Sequence, residues 1–215
     1  MKNAPVPKNE KERINELHKF QILDTLPEAA FDEITKLTSL ICGGQICLIS
    51  FVDSKRQWFK SKYGTSVEQT PRENSFCAHT IMQENVFEVQ DTSLDDRFKN
   101  NPLVIGPPSI RWYAGAPLMT SKGFIIGTLC VFGNTPRALN ADQRVALIAL
   151  AKQVITLLEF KEREIQFKKQ SKELENLFDL SLDLICIADS EGFFKYLNPA
   201  WSLVLGYSEE ELKAH

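Results

Sequence analysis

The chain has 215 residues, of which 43% are hydrophobic and 25% are charged, and its formal net charge at pH 7 is -3. This is the composition of a globular protein, and the small negative charge gives no reason to expect nucleic acid or an anionic membrane as a partner. No apolar run approaches the roughly 20 residues that cross a bilayer, and the polar N-terminus lacks a signal-peptide core, so we expect a cytoplasmic protein without a membrane span.

Two helices are predicted before the first strand. Residues 9–22 have an amphipathic pattern with apolar side chains on one side. The start of the next helix is marked by the capping-box spacing of Thr25 and Glu28, and its end by Gly43. Its apolar stripe consists of Phe31, Ile34, Leu37 and Ile41. A stripe of this kind is typical of a helix that packs on a core.

The middle of the chain predicts short strands, one helix and a long loop. Strands are predicted at residues 45–53 and 57–63, joined by a polar turn, and a shorter strand at residues 86–89. A helix is predicted at residues 75–84. Residues 92–108 form a loop with three prolines. Loops of this length are uncommon in compact domains and often close over ligands.

A β-hairpin is the most informative part of the sequence. Two apolar runs of strand length, residues 110–120 and 124–132, flank a short Ser-Lys-Gly break. The second run is apolar on both alternating faces, so it should be a central strand covered on both sides. In the first run the bulky residues 111–113 adjoin the small residues 114–116, which indicates a recess in the sheet. Such a recess suits a sensory or ligand-binding domain better than a catalytic one.

A long helix is predicted from residue 141 to about residue 180, with Asn140 and Gln143 at capping positions. Its first half is apolar and should cover the sheet. Its second half is charged on nearly all sides, with acidic and basic residues at the i,i+4 spacing that supports a helix. No glycine or proline interrupts it.

An apolar seam runs along the charged half of this helix. Its residues recur at heptad positions and are Phe160, Phe167, Leu174 and Leu177. A helix that is charged except for a thin heptad seam normally pairs with another helix, so we expect a parallel homodimeric coiled coil. The alternative is a solvated linker helix, because Arg163 and Gln170 interrupt the seam.

A second unit follows the long helix. Residues 184–188 and 193–197 predict another hairpin, followed by a helical turn. Only about 35 residues follow the helix, which is too few for an independent core. We therefore expect the chain to stop inside a domain.

Many separate motifs closely resemble the GAF sensor domain of bacterial signalling proteins. The matching residues are 22–25, 51–53, 57–60, 70–72, 75–79, 96–98, 101–104, 111, 113–118 and 127–131. The later residues 196–200 and 206–212 are similar to the first half of a PAS domain. Tandems of this kind are usually the input regions of histidine kinases in two-component systems, and less often of diguanylate cyclases. The resemblance therefore implies a sensory role and names no ligand.

The domain organisation that follows from the resemblance has four parts. Residues 1–22 are expected to be a lead-in with the N-terminal helix, residues 23–158 the GAF domain, residues 159–180 a signalling helix, and residues 181–215 the N-terminal part of a PAS domain. The expected fold is α+β, with a mostly antiparallel sheet of about five strands. Terminal helices should cover one face of the sheet, and helix 75–84 with the long loop should cover the other.

The cysteines predict reduced thiols rather than a disulfide framework or a metal finger, because they form an odd set without CxxC pairs. They are Cys42, Cys47, Cys77, Cys130 and Cys186. Cys77 lies near a predicted helix N-terminus, which lowers a thiol pKa and favours redox or nitric-oxide sensing. Cys77 and His79 project about 200° apart on a helix, so one metal ion could not take both side chains. The simplest interpretation is that both residues are structural.

A small polar ligand is the next candidate. Asp96, Arg97, Arg111 and Tyr113 combine guanidinium groups for a carboxylate or phosphate with an aromatic stacking face. The alternative is a set of ion pairs, Asp91 or Asp96 with Arg97 or Arg111, that pins the long loop. Thr128 and Cys130 share one face of their strand by period-two alternation, and the sequence leaves open whether that face lines the recess.

Three function classes remain at this point. A sensory module that binds an unidentified small molecule, or senses redox state, and forms a homodimer is favoured. A dimerisation module that has lost its ligand is second. An enzyme that reduces free methionine sulfoxide, as some small GAF proteins do, is third and would need Cys77 and Cys130 close together.

Covalent bilin is not expected, because residues 104–112, where phytochrome-type GAF domains carry the attachment cysteine, contain no cysteine or histidine. The sequence also lacks a histidine phosphoacceptor motif, a glycine-rich ATP lid and a cyclase signature. We therefore predict that this chain senses and transmits a signal but is not an enzyme. Kinase or cyclase domains are expected downstream in the full-length protein.

Overall fold

The computed structural model describes residues 6–213. They form two compact units, one ending at Glu162 and the other beginning at Arg163. Residues 1–5 of the predicted N-terminal segment and residues 214–215 of the predicted C-terminal segment lie outside the described part. No helix in the described part is long and apolar enough to cross a membrane.

The first unit contains a sheet with helices before, within and after it. Its elements are α1 (Glu10–Lys19), α2 (Ala29–Cys42), β1 (Ile46–Val52), β2 (Arg56–Tyr63), β3 (Gln69–Pro71), α3 (Cys77–Thr80), β4 (Phe87–Val89), α4 (Pro102–Ile105), β5 (Trp112–Met119), β6 (Ile125–Gly133) and the start of α5 (Ala141–Leu180). A short 3-10 helix, Arg72–Asn74, precedes α3. The predicted α+β class is confirmed.

The sheet has six strands in the order β3-β2-β1-β6-β5-β4, and every neighbouring pair is antiparallel. The sequence predicted about five strands and missed β3. This strand is three residues long, ends at Pro71 and pairs only with the start of β2. Such a short segment carries no alternating pattern, and a proline is tolerated there because β3 is an edge strand.

Each face of the sheet has its own core, as predicted. One core contains buried side chains of α1, α2 and α5, among them Leu17, Phe31 and Leu147. The other contains Phe76, which precedes α3, with side chains of α3 such as Cys77 and of the segment between β4 and β5 such as Phe98. The central strands supply alternate residues to both cores, because successive side chains of a strand point to opposite faces.

The predicted capping box of α2 is wrong. Glu28 is the N-cap residue but makes no side-chain cap bond, and the hydroxyl of Thr25 donates to the carbonyl of Ile22 instead. The carboxylate of Glu28 is held by Lys60 and Lys161, which are distant in sequence. Because the Glu28 carboxylate forms these ion pairs, it does not make the cap hydrogen bond that the local sequence pattern predicted.

The apolar stripe predicted for α2 is only half correct. Phe31 and Ile34 are buried, whereas Leu37 and Ile41 are exposed. The buried face also carries small residues, namely Thr35, Thr38, Ser39 and Cys42. The helix ends at Gly43 as predicted, with a left-handed φ of 67° that suits glycine.

The predicted helix 75–84 is much shorter in the structure. Only α3, a single turn, is helical, and the chain then turns toward β4. The long loop contains one helical turn, α4, whose start is capped by the side chain of Asn101, which accepts a hydrogen bond from the Leu103 N–H. One-turn helices lack the periodicity from which longer helices are predicted.

The second unit contains β7 (Cys186–Ala188), β8 (Phe194–Leu197), α6 (Pro199–Leu205) and α7 (Glu209–Lys213), together with the end of α5. β7 and β8 form the predicted antiparallel hairpin. Its turn is organised by Asp189, whose carboxylate accepts the N–H groups of Glu191 and Phe193. Gly192 adopts the positive φ of 92° that this turn requires.

The start of α5 confirms the capping prediction. The Asn140 side chain accepts the Gln143 N–H at 2.8 Å, and the Gln143 side chain accepts the Asn140 N–H at 3.1 Å. Replacing Asn140 with Ala should lower the free energy of unfolding by about 0.5–2 kcal/mol, because an N–H at the helix start loses its partner. Urea unfolding followed by tryptophan fluorescence would measure this loss. Asn140→Asp keeps the acceptor oxygen and is the control; an equal loss in both variants would contradict the cap.

Candidate functional site

A cluster of buried polar side chains lies on the face of the sheet that α3 covers. Cys77 comes from α3, Tyr113 from β5, and Cys130 from β6, and all three are fully buried. Thr128 of β6 lies opposite Ser50 of β1 in the strand register. The side chains of Thr128 and Cys130 therefore lie on the face of the sheet that α3 covers, a point that the sequence alone could not decide.

The polar groups of this cluster contact one another. The Cys77 and Cys130 sulfurs are 3.5 Å apart, and the Tyr113 hydroxyl lies 3.5 Å from the Cys77 sulfur. The same hydroxyl is 2.6 Å from the Thr80 hydroxyl. The Ser50 and Thr128 hydroxyls are 3.1 Å apart. Each of these side chains thus has a partner within the cluster.

The recess predicted beside the small residues 114–116 exists, but the protein fills it. A Cβ atom placed on Gly115 would lie 2.2 Å from the hydroxyl oxygen of Tyr113 and 3.1 Å from the Thr80 hydroxyl. The ring of Tyr113 therefore lies along its own strand, over the missing side chain. Glycine at position 115 is what brings the Tyr113 hydroxyl to Thr80 and Cys77.

The two thiols of the cluster differ in acidity. Burial raises the pKa of Cys77, but its polar neighbours outweigh burial and lower that pKa to about 7. These neighbours are Cys130, Ser50, Thr128 and Tyr113. For Cys130, burial and the adjacent Cys77 both raise the pKa well above its usual value. The pair therefore releases its first proton far more readily than its second.

Aromatic rings surround this cluster. Phe76 stacks on Phe98 with ring centres 4.2 Å apart and on Tyr113 at 5.2 Å. The His79 ring contacts Phe98 edge-on at 4.9 Å and Phe87 at 6.2 Å. His79 and Cys77 thus pack against different neighbours, as their helical spacing predicts. In the described residues, no group of three or more His, Cys, Asp or Glu side chains is arranged to hold a metal ion.

Arg97 binds a carboxylate that the sequence analysis missed. Its guanidinium donates to both oxygens of Asp95, at 2.9 and 2.6 Å, and lies 4.7 Å from the Phe87 ring centre. Hydrogen bonds from Arg97 hold the pKa of Asp95 below its usual value. The Asp95 carboxylate also accepts the Arg97 N–H. A side-chain oxygen of Asp95 that accepts the N–H two residues later forms an Asx turn. The Asp-x-Arg spacing is the signal from which this role of Asp95 could have been predicted.

The remaining residues of the predicted polar site bind other parts of the protein. Asp96 pairs with Lys99 at 2.6 Å on the surface. Arg111 donates to the carbonyl oxygens of Val104 and Ile110, at 2.7 and 3.1 Å. The arginines therefore hold the long loop, but through Asp95 and backbone carbonyls rather than through the ion pairs considered from the sequence. Of the eight predicted site residues, Cys77, Tyr113, Thr128 and Cys130 are brought together.

A cavity of about 80 Å³ lies beside Phe76 and Phe132, whose rings contact Tyr113, but no residue of the cluster lines it. Its lining is mostly apolar and includes Ile46, Leu48, Gln57, Phe59, Ser75, Phe76, Leu103, Ile110 and Phe132. Pockets for drug-sized ligands have volumes of roughly 300–1,000 Å³. This cavity is smaller than that range. Its polar groups, such as Gln57 bonded to Ser75, were not among the predicted site residues.

The contact between Tyr113 and position 115 can be tested by a double-mutant cycle. Gly115→Ala should destabilise the protein by roughly 1–3 kcal/mol, because the added methyl group displaces the Tyr113 hydroxyl. The same substitution should cost less in a Tyr113→Phe background, where the nearest atom is absent. Thermal or urea unfolding of the four proteins gives the coupling. An equal loss in both backgrounds would show that the Tyr113 hydroxyl does not occupy this space.

Comparisons with known proteins agree with this architecture. A cyclic di-GMP phosphodiesterase of Pseudomonas aeruginosa is 41% identical over 148 residues, which cover 69% of this chain but only 25% of that protein. The GAF domain of an Acinetobacter phosphoenolpyruvate-protein phosphotransferase has a TM-score of 0.53 at 15% identity, covering 72% of this chain and 95% of that one. A free methionine-R-sulfoxide reductase from Neisseria meningitidis has a TM-score of 0.52 at 15% identity, covering 77% and 98%.

Family models identify both parts of the chain. The GAF domain model matches residues 26–158, and a PAS domain model matches residues 172–215. The two matches follow the order inferred from the sequence motifs. The chain therefore belongs to the GAF domain family and continues into a PAS domain, which makes it a sensory region of a signalling protein.

Proposed function

We propose that this chain is the input region of a bacterial cyclic di-GMP signalling protein, and that its GAF domain controls the output through α5. The relative named as a cyclic di-GMP phosphodiesterase supports this output, since it is 41% identical over 148 residues. A histidine kinase, which the GAF–PAS arrangement first suggested, is the second candidate. Free cysteines fit a reducing compartment such as the cytoplasm.

The observation that carries the proposal is the form of α5. This helix has 40 residues without glycine or proline. Near its start, Leu147, Ala151 and Val154 are buried on the sheet. α5 begins in the GAF core and continues as one helix. A displacement of the GAF core can therefore travel along α5 without passing through a flexible joint.

Around residues 159–161, two polar contacts hold α5 to the β5–β6 turn and to the start of α2. The Glu159 carboxylate accepts the N–H of Ser121, in the turn between β5 and β6, at 2.8 Å. Lys161 pairs with Glu28 at the start of α2, and Glu28 also pairs with Lys60 of β2 at 2.7 Å. The Lys60 side chain is fully buried. A movement of the β5–β6 hairpin or of α2 therefore acts directly on the helix.

In this proposal, α5 pairs with α5 of a second copy of the chain. Its apolar seam is 65–71% exposed: Phe160 65%, Phe167 71%, Leu174 68% and Leu177 70%. Burying a large apolar side chain fully contributes about 1.5–3 kcal/mol. Intrahelical ion pairs such as Lys168–Glu164 keep the other sides of the helix solvated. A parallel coiled-coil dimer would place each seam residue against the same residue of the second copy and so cover the seam.

The sensory centre we propose is the buried cluster of Cys77, Tyr113, Thr128 and Cys130 with the adjoining cavity. Asp96, Arg97 and Arg111 have protein partners and serve the long loop instead. A dimerisation module without a ligand is the alternative that the small cavity favours. Small molecules retained by the purified protein and detected by native mass spectrometry would separate these two.

An enzyme that reduces methionine sulfoxide is the weaker alternative. Its thiol must reach the sulfur of a substrate, whereas Cys77 and Cys130 are both 0% exposed. Turnover of free methionine sulfoxide by the purified chain would nevertheless overturn the non-enzymatic proposal.

Replacing Phe160 and Phe167 with Glu should convert a dimer into monomers, because two charges then occupy the seam. Sedimentation velocity at tens of micromolar measures this change. Lys169→Glu is the matched control, since it adds the same negative charge on the opposite side of the helix. A monomeric unmodified protein, or equal dissociation of the control, would contradict the seam.

Inserting two residues after Gln166 should change the basal cyclic di-GMP turnover of the full-length parent. The insertion rotates the downstream helix by about 200°, which breaks the register between the GAF domain and the output. Inserting seven residues restores nearly the same face and is the control. If neither insertion altered turnover, α5 would be a passive tether.

A further inference from the structure

The Cys77–Cys130 pair has a geometry that none of the preceding roles requires. The two sulfurs are 3.5 Å apart although the residues come from different elements, α3 and β6. Cys42 and Cys47 belong to the core on the other face of the sheet, and Cys186 is exposed in the second unit. The pair is therefore separate from the other three thiols. We propose that Cys77 and Cys130 are a redox pair that a small peroxide closes to an intrachain disulfide.

The immediate surroundings give the two sulfurs different roles. The Tyr113 hydroxyl donates toward the Cys77 sulfur at 3.5 Å, and the polar neighbours of Cys77 lower its pKa and so favour the thiolate, which is the nucleophilic form. Cys130 keeps its proton, which lies within reach of the Cys77 sulfur at 3.5 Å or of the Leu48 carbonyl oxygen at 3.7 Å. Cys77 is thus placed to attack first, and Cys130 is placed to resolve the product.

Both sulfurs are buried and neither lines the adjoining cavity, so an oxidant must be small enough to pass the side chains that separate the cavity from the pair. The walls of the cavity include Phe76, which precedes Cys77 in the chain, and Phe132 and Leu48, which flank Cys130 in the sheet. A volume of about 80 Å³ holds a peroxide with two oxygen atoms. It does not hold a peptide disulfide such as oxidised glutathione. The oxidant class is therefore hydrogen peroxide or another peroxide of similar size.

The reaction proceeds in two balanced steps. Cys77 first releases its proton; its thiolate then attacks one peroxide oxygen, the O–O bond breaks, and the hydroxide that leaves takes up that proton to form water, so that Cys77 becomes a sulfenic acid. The Cys130 sulfur then attacks the Cys77 sulfur, gives up its proton, and displaces the sulfenic oxygen as water. In total, two thiols and one hydrogen peroxide give one disulfide and two waters. The sulfurs lose two electrons, and the peroxide oxygens gain them.

Closing the pair displaces α3. The sulfurs must approach from 3.5 Å to a bond length of about 2.05 Å. β6 is hydrogen-bonded to a strand on each side, whereas α3 is a single turn, so α3 is the element that moves. Thr80 lies on the same turn, and its bond to Tyr113 must change with it. An effect on output through α5 rests on the proposed function; the disulfide itself does not.

Intact mass spectrometry of the whole chain after treatment with hydrogen peroxide tests the pair. We expect a loss of about 2 Da, the two hydrogens of one disulfide, and a peptide that links Cys77 to Cys130. Oxidised glutathione should give no such loss in the folded protein. Cys42→Ser is the matched control and should still lose 2 Da, whereas Cys77→Ser and Cys130→Ser should not.

Two results would overturn the pair. One is a folded protein whose Cys77 and Cys130 stay reduced under peroxide while the exposed Cys186 oxidises. The other is a linked peptide that joins different cysteines. Both are read from the unmodified chain, so neither depends on the folding of a variant. Sedimentation of the same sample measures dimerisation separately. The absence of the disulfide can therefore be distinguished from the absence of a dimer through α5.

Discussion

The pairing of β1 with β6 at the centre of the sheet is the constraint on which the rest of the first unit depends. Nearly every residue of both strands is buried. The two backbones approach so closely that a Cβ atom on Gly127 would lie 2.2 Å from the Ser50 carbonyl oxygen. Because neither face of these strands can meet water, each must be covered. α1, α2 and α5 cover one face, and α3 with the long loop covers the other.

The same constraint explains why the polar residues of the central strands form a cluster. A buried hydroxyl or thiol without a partner is costly, so groups placed on a covered face must find partners there. Ser50 and Thr128 meet because the register sets them opposite each other. Tyr113 reaches Thr80 only because position 115 carries no side chain. The site is thus built from register and one glycine rather than from a mobile loop.

Much of the fold could be predicted because its signals are local. The β5–β6 hairpin, the end of α2 at Gly43 and the cap of α5 each depend on neighbours within a few residues. The start of α2 could not be predicted in this way, because Glu28 forms ion pairs with Lys60 and Lys161, which are distant in sequence. The site was predictable only in part: alternation placed Thr128 with Cys130, but the partners of Arg97 and Arg111 depend on how the long loop folds back.

The two edges of the sheet have a consequence for self-association. The edge strands β3 and β4 are each three residues long; the first ends at Pro71, and the second carries Glu88, whose carboxylate binds Arg144 and the Leu139 N–H. Short edges that carry a proline or a charge resist pairing with a strand of another molecule. The edges of this sheet are thereby protected against pairing with a strand of a second copy.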